Sequence, residues 1–308
     1  MIIVFGSINV DFVMRAPVLP APGETVLGGS YFLAQGGKGA NQACAAALAG
    51  ADTVLVGSVG DDDWGRFALE RLRAAGVALD TVARVRSPTG CASILVDEAA
   101  ENAIVVASGA NLEVSAAQVP AALLGPGAVV VTQMEVPAAE TWAVIEHAAA
   151  AGARVVLNVA PAAAVPATVL DAVDVLIVNE HEAVTVAGAL GLAARGPEAL
   201  ACALADTHEL ACIVTLGGAG VIGAAPGTAL RVGALPVEPV DTTGAGDAFT
   251  GVLAAALDAG APLAAAVHRA SVGAALACTR PGAQPSYAAG GEITAAGARL
   301  SPAVVRAR

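Results

Sequence analysis

The sequence has almost no lysine: Lys38 is the only one among 15 lysine and arginine residues in a chain of 308. The arginines are scattered, and the formal net charge is −12. Without a basic stripe the chain lacks what a nucleic-acid backbone requires, so no nucleic-acid partner is expected. A small anionic substrate stays open, because a helix N-terminus holds an anion without a cationic side chain. CxxC spacing is also missing. Cys44, Cys91, Cys202, Cys212 and Cys278 are odd in number, which speaks for buried thiols in a reducing compartment, the cytoplasm, and against a zinc site. The N-terminus Met1-Ile2-Ile3-Val4-Phe5-Gly6 carries no basic region, and Asn9 and Asp11 interrupt its apolar run, so no secretory signal is expected. No apolar run reaches the ~20 residues of a membrane span, and no membrane partner is expected. The 56% hydrophobic content therefore goes into a large core.

A lysine kept where arginine is otherwise used implies either chance or a site at which a compact ammonium does what a planar guanidinium does not. Its neighbours favour a site. Gln35-Gly36-Gly37-Lys38-Gly39-Ala40-Asn41-Gln42-Ala43 opens a helix running to about Gly50. The glycines let a ligand approach the backbone, and Lys38 and Asn41 stand one helical turn apart. The Walker A spacing is absent. Ahead of this loop, Ile2 to Phe5 reads as a buried strand, from which Asn9 and Asp11 emerge in strand phase. They form either a pair that binds a hydroxyl-rich ligand or an Asx turn.

Between Phe12 and Ala34, short extended pieces are broken by proline and glycine and read as a small accessory sheet. Thr89 to Val96 and Ala103 to Val106 form a hairpin around Asp97-Glu98 to Asn102, assigned to that same sheet. Elsewhere strand and helix alternate. Strands are expected at Val54 to Val59, Ala128 to Thr132, Val155 to Asn158 and Val173 to Val178, with helices at Asp62 to Ala75 and Ala138 to Ala151. This rhythm predicts a parallel sheet covered on both faces. Glu135, Asn158, Asn179 and Glu182 then fall at carboxyl ends of strands, where ligands collect, although each taken singly fits a cap or turn. Gly218, Gly220 and Gly223 match GxGxxG formally, but the residues after them read as strand and turn, a Gly-rich hairpin rather than a dinucleotide site.

The second glycine signature is Asp241-Thr242-Thr243-Gly244-Ala245-Gly246-Asp247, leading into an Ala-rich helix from about Ala245. Backbone N–H groups of Gly244, Ala245 and Gly246 at this helix start make an anion site. Asp247 in the first turn is either a helix-dipole charge or a chemical group, and next to such donors its pKa is expected to be low.

Together, Gly36-Gly37-Lys38-Gly39-Ala40-Asn41 and Asp241 to Asp247 resemble the two signatures of the ribokinase-like (phosphofructokinase-B-type) family of carbohydrate kinases. Gly6-Ser7-Ile8-Asn9-Val10-Asp11, Pro22-Gly23-Glu24-Thr25, Asn158-Val159-Ala160-Pro161, Asn179-Glu180-His181-Glu182 and Gly282-Ala283-Gln284-Pro285-Ser286 fit as well, so the resemblance covers nearly the whole chain. It implies one α/β domain over 1–308, a three-layer α/β/α fold with a mostly parallel central sheet. A small β-sheet lid would come from about 12–35 and 89–106. It implies ATP and a small sugar as substrates, Mg²⁺ with the ATP, K⁺ as activator, and a homodimer through the lid. Within the family the motifs stand nearest the members that phosphorylate the 5-hydroxyl of ribose. Carried over, Asn9, Asp11, Gly37, Lys38, Asn41 and Glu135 hold the sugar, and Asp247 takes the hydroxyl proton beside the Gly244, Ala245 and Gly246 anion hole. Thr215, Gly217, Gly220, Gly246 and Ser271 border the nucleotide, with Asn179 and Glu182 near its phosphates and Mg²⁺. Asp241, Thr243, Ala277, Arg280, Gly282 and Ser286 form the monovalent-cation site. Val159 departs from the family's Asn-Pro, and Ser271 stands where a stacking side chain is expected. Other sugars, 2-deoxyribose or nucleosides remain alternative substrates, and an oxidoreductase or a non-catalytic sugar sensor are more distant alternatives.

Overall fold

The computed structural model describes residues 1–99 and 101–308; Ala100, within the expected Asp97 to Asn102 turn, lies outside them. The first strand, β1 (Ile2–Phe5), shows how the molecule is layered. Alternate side chains of a strand point to opposite faces. Ile2 and Val4 accordingly enter one hydrophobic core while Ile3 enters the other with Phe5. A strand buried on both faces belongs to a parallel sheet covered by helices, as the strand–helix alternation predicts.

Next come β2 (Asn9–Arg15), β3 (Tyr31–Gly36), α1 (Lys38–Leu48), β4 (Thr53–Gly60), α2 (Asp63–Ala74), β5 (Val82–Val85), β6 (Gly90–Val96) and β7 (Asn102–Ala107). The middle of the chain supplies β8 (Val129–Thr132), α3 (Ala138–Ala150), β9 (Arg154–Asn158), α4 (Ala167–Leu170), β10 (Val175–Asn179), α5 (Glu180–Ala189) and α6 (Pro197–His208). It ends with β11 (Ala211–Thr215), β12 (Val221–Ala225), β13 (Thr228–Val232), α7 (Ala245–Asp258), α8 (Leu263–Ala277), α9 (Gly290–Gly297) and β14 (Val304–Ala307). Among the described residues the large sheet has ten strands in the order β14-β13-β12-β11-β10-β9-β8-β1-β4-β5. From β11 to β5 every pairing is parallel, and β12, β13 and β14 add antiparallel strands at one edge. Side chains of α1, α2, α7, α8 and α9 fill the core on one face, and those of α3, α4, α5 and α6 the core on the other. The strand order reverses between β1 and β8, so their carboxyl ends open the crevice where a ligand is expected.

A second sheet, β3-β2-β6-β7, stands apart from the large one. It joins the broken early strands to the later hairpin, as expected, through parallel pairing of β2 with β6. It also begins earlier than the 12–35 expectation. Asn9 and Asp11 lie within β2, paired with Gly36 and Ala34 of β3, so they project from the second sheet rather than from the end of a buried strand. Of the GxGxxG stretch, Gly218 lies in a short 3-10 turn, Gly220 just before the antiparallel strand β12 and Gly223 within it, and β13 follows, in line with the hairpin reading. Helices α5 and α6 carry signals that the strand–helix rhythm alone does not bring out: a reciprocal Asn179/Glu182 capping box and Pro197 at a helix start.

Helices α1 and α7 approach each other unusually closely. A Cβ on Gly251 of α7 would lie 2.4 Å from the Gln42 carbonyl oxygen and 2.7 Å from the Ala45 Cβ of α1. Only glycine lets the two helices touch backbone to backbone, which brings the first turn of α7 against the side chains of α1.

Candidate active site

The glycines of the Lys38 loop are explained by what they press against. Gly37 caps α1 at φ +88°, and a Cβ there would sit 2.7 Å from the Asn9 nitrogen. A Cβ on Gly39 would sit 2.6 Å from the carbonyl carbon of Gly6. The loop is thus seated on the segment leaving β1, with Ala40 N–H donating to the Ser7 carbonyl at 2.9 Å. Glu135, just beyond β8, ties the crevice together: its Oε2 accepts from Lys38 N–H at 3.0 Å and from Ser7 Oγ at 2.7 Å.

Asp247 lies in the first turn of α7 and is buried. Asn41 Nδ2 donates to its Oδ2 and Gln42 Nε2 to its Oδ1, each at 2.9 Å. Burial pushes its pKa up, against the lowering influence of Lys38 and of the two amides. This corrects the expectation of a low pKa. The carboxylate oxygens are held by the two α1 amides and, among the described residues, by no N–H of the helix start. Lys38 remains firmly protonated: burial disfavours its charge, but Asp247, Glu135 and Glu182 outweigh burial and raise its pKa. For Glu182 burial wins over the Asn179 N–H and over Lys38, and its pKa is raised.

Asp11 is perturbed in the same direction. Burial, then Glu135 and Asp247, lift it from an ordinary 3.8 to about 6. Folding therefore disfavours the ionised form, so stability is lost as pH rises from about 4 through about 6 and the full penalty is present above. Asp11→Asn is expected to stabilise the ligand-free protein by at most about 3 kcal/mol at pH 8, the gain shrinking by about half at pH 5. Urea denaturation at the two pH values measures it; a pH-independent difference would contradict this origin.

Two cavities meet at the N-terminus of α7. The larger, about 560 Å³, is mostly apolar and is lined by Thr215, Gly217, Gly220, Val237, Gly246, Phe249 and Ser271 among others. The smaller, about 170 Å³, is polar and is lined by Lys38, Asn158, Asn179, Glu182, Gly244 and Asp247 among others. Thr215, Thr242, Ala245 and Gly246 border both. An apolar pocket opening on a polar one at a helix N-terminus suits a base and its attached phosphates. One expected donor is engaged elsewhere: Ala245 N–H donates to the Thr242 carbonyl at 3.2 Å. Gly244, at φ +74° and in contact with Tyr287 through its carbonyl, turns the chain into the helix.

The residues assigned to a monovalent cation are brought into one neighbourhood by Asp241, whose oxygens accept from Thr243 N–H at 2.9 Å and Gly282 N–H at 2.8 Å. Burial opposes its ionisation, but the Thr243 side chain together with the Gly282 and Thr243 N–H groups prevails and its pKa is lowered. Arg280 N–H donates to the Ala277 carbonyl, and the Arg280 side chain pairs with Glu292. The Ser286 hydroxyl donates to the Ala283 carbonyl. Two further residues complete the sugar-side geometry, and neither is singled out by the sequence. Gln42 holds Asp247, and Asn111 donates to Asn9 Oδ1 at 2.7 Å and accepts from Ile8 N–H at 2.9 Å. Gln42 stands inside the glycine signature; Asn111 has no local signal.

The pfkB family carbohydrate kinase model matches residues 1–289. The chain belongs to the pfkB family of carbohydrate kinases. Among its relatives, the ribokinase of Bacillus subtilis is 37% identical over 286 residues, covering 92% of this chain and 94% of that protein. The ribokinase of Schizosaccharomyces pombe is 35% identical over 302 residues, covering 92% and 94%. Among solved structures, the Arabidopsis thaliana ribokinase complexed with ribose and ATP superposes with a TM-score of 0.85 at 30% identity, covering 96% and 98%.

Proposed function

We propose that the protein transfers the γ-phosphoryl group of ATP to the 5-hydroxyl of D-ribose, giving ribose 5-phosphate and ADP. The observation that carries this reading is the Asp247 carboxylate, held by two amides beside the α7 N-terminus at which a polar and an apolar cavity meet. The ribokinase relatives, among them a structure with ribose and ATP, support the choice of substrates.

In this reading Asn9, Asp11, Gly37, Lys38, Asn41 and Glu135 bind the sugar hydroxyls, and Asp247 accepts the 5-hydroxyl proton as the oxygen attacks. Phosphoryl transfer through a loose transition state asks for positioning and charge stabilisation more than for a strong base. N–H groups of Gly244 and Gly246, with the α7 dipole, stabilise charge on the transferring group. Thr215, Gly217, Gly220 and Ser271 border the adenosine part. The oxygen donors of Asn158, Asn179 and Glu182 are the hard ligands that suit Mg²⁺ travelling with the nucleotide, which supplies charge neutralisation on the phosphates. The ionised Asp241, joining the Thr243 and Gly282 segments, suits a K⁺ ion held largely by carbonyl oxygens. The second sheet closes over the sugar. Its edge strands leave Tyr31, Phe32, Ile104, Val105 and Val106 exposed, an apolar surface that suits pairing with a second copy. No helix among the described residues is long and apolar enough to cross a membrane, and the free cysteines suit a reducing cytoplasm.

An ADP-release assay with ribose, 2-deoxyribose, a hexose and a nucleoside, with and without K⁺, tests the proposal. Ribose is expected to give the highest kcat/KM, increased by K⁺. Turnover confined to nucleosides would overturn the substrate.

A further inference from the structure

Three fully buried glutamines, Gln42, Gln133 and Gln284, surround the first turn of α7, and they form chains that both end on Asp247. On one side Gln133 Nε2 donates to Gln42 Oε1 at 2.7 Å, and Gln42 Nε2 donates to Asp247 Oδ1 at 2.9 Å and to Asn158 Oδ1 at 3.0 Å. On the other, Gln284 Nε2 donates to Asn41 Oδ1 at 3.1 Å, and Asn41 Nδ2 donates to Asp247 Oδ2 at 2.9 Å. The direction of every amide follows from one fact: an ionised carboxylate only accepts. With Asp247 ionised, Asn41 and Gln42 must turn their NH₂ groups toward it. Their carbonyls then need donors, and Gln284 and Gln133 must supply them.

The outer ends show which way the chains run. Gln133 Oε1 and Gln284 Oε1 are buried without a hydrogen-bond partner among the described residues. Gln133 Oε1 rests against Gly6, where a Cβ would come within 2.0 Å of it. A buried amide with an unsatisfied oxygen is unfavourable unless its NH₂ group is needed where it points. A protonated Asp247 would present an O–H to NH₂ groups of Asn41 and Gln42, with no acceptor among them.

We propose that Gln42, set by Gln133, and Gln284, acting through Asn41, are positioning residues that orient both oxygens of Asp247 as acceptors and keep the carboxylate unprotonated for its reaction. Gln284 belongs to the Gly282 to Ser286 segment and Gln42 to the Lys38 helix, so elements more than 200 residues apart in sequence converge on one group. The proposal rests on Asp247 being the base of the kinase reading. The charged and titratable groups facing Asp247 are Lys38 of α1, Asp11 of β2, Glu135 beyond β8, Glu182 of α5 and Tyr287; none belongs to the amide chains.

The test compares Gln42→Met, Gln133→Met and Gln284→Met, which keep side-chain length and remove the amide. The Asp247 carboxyl is titrated by NMR in ¹³C-aspartate-labelled protein, its signal assigned by its loss in Asp247→Asn, and kcat and sugar KM are measured across pH. In Gln42→Met the midpoint of Asp247 is expected to rise by about one pH unit. The acid limb of kcat should move with it, and kcat should fall about tenfold with sugar KM within about threefold. Gln133→Met and Gln284→Met should shift the same way by less, and they carry the test if Gln42→Met does not fold. An unmoved midpoint in the folded variants would overturn the proposal even if kcat fell, since that pattern belongs to a merely structural role. If the wild type turned over no sugar, the kinase reading would fail, while the titration would still decide whether the amides hold the carboxylate ionised.

Discussion

Asp247→Asn is expected to lower turnover by about 10²–10⁴ while ribose and ATP still bind. The substitution is nearly isosteric and removes the carboxylate placed in the first turn of α7 to accept the hydroxyl proton. Its amide also presents one donor where the wild-type carboxylate presents two acceptors, so either Asn41 or Gln42 faces an NH₂ group instead of an oxygen. The pH dependence distinguishes this loss from a general disturbance. Burial raises the pKa of Asp247 against the lowering effect of Lys38, so the wild-type kcat should carry an acid limb above the usual carboxylate range. That limb should be missing from the residual activity of Asp247→Asn. Near-normal turnover, or a residual profile with the same limb, would remove Asp247 from the role of base. Sugar binding followed by calorimetry completes the comparison.

The second large effect is expected at a residue with no side chain. Gly244→Ala should reduce kcat by about 10²–10³, the usual cost of disabling one anion-hole donor, and should lower the thermal midpoint. Gly244 has φ +74°, and a Cβ there would lie 2.6 Å from the Tyr287 hydroxyl, 2.7 Å from the Ala283 Cβ and 2.9 Å from the Ala283 Cα. The left-handed backbone alone costs an L-residue about 1 kcal/mol, and the contacts add to it. Relief requires the start of α7 to move away from the 283–287 segment, carrying its N–H groups with it. Gly246→Ala is the internal comparison. A Cβ at Gly246 meets nothing within 4 Å among the described residues, so that variant should keep wild-type stability. Equal loss of stability in both would show that Gly244 is not special; unchanged kcat in Gly244→Ala would show that the helix start does not stabilise the transferring group.

Much of this site is legible in the sequence because its signals are local. The glycines around Lys38 and before Asp247 occur at fixed offsets, and each reports a backbone that packs against another backbone, as Gly39 does on Gly6. The strand–helix alternation likewise needs only the chain itself, since the all-apolar β1 and the nearly all-apolar β8 announce burial on both faces. The ribokinase relatives support the substrate toward which the motifs already lean. Asn9 and Asp11 are visible as a pair in strand phase, but not as part of the second sheet. Asn9 pairs with Gly36 and Gly90 and Asp11 with Ala34 and Ala92, residues of separate segments, and pairing across such distances leaves no mark in the pair itself.

The sequence by itself determined the layered α/β architecture, the two glycine signatures and the family, because periodicity, glycine spacing and residue type carry that information along a single stretch. Only the tertiary structure decided the state of Asp247. Its neighbours in sequence are helix-terminal N–H groups, which favour a low pKa; its neighbours in space are Asn41, Gln42 and Lys38, some two hundred residues away, in a buried pocket that raises it. Protonation depends on desolvation and on opposing charges within a few ångströms, and those quantities exist only once α1 and α7 have met.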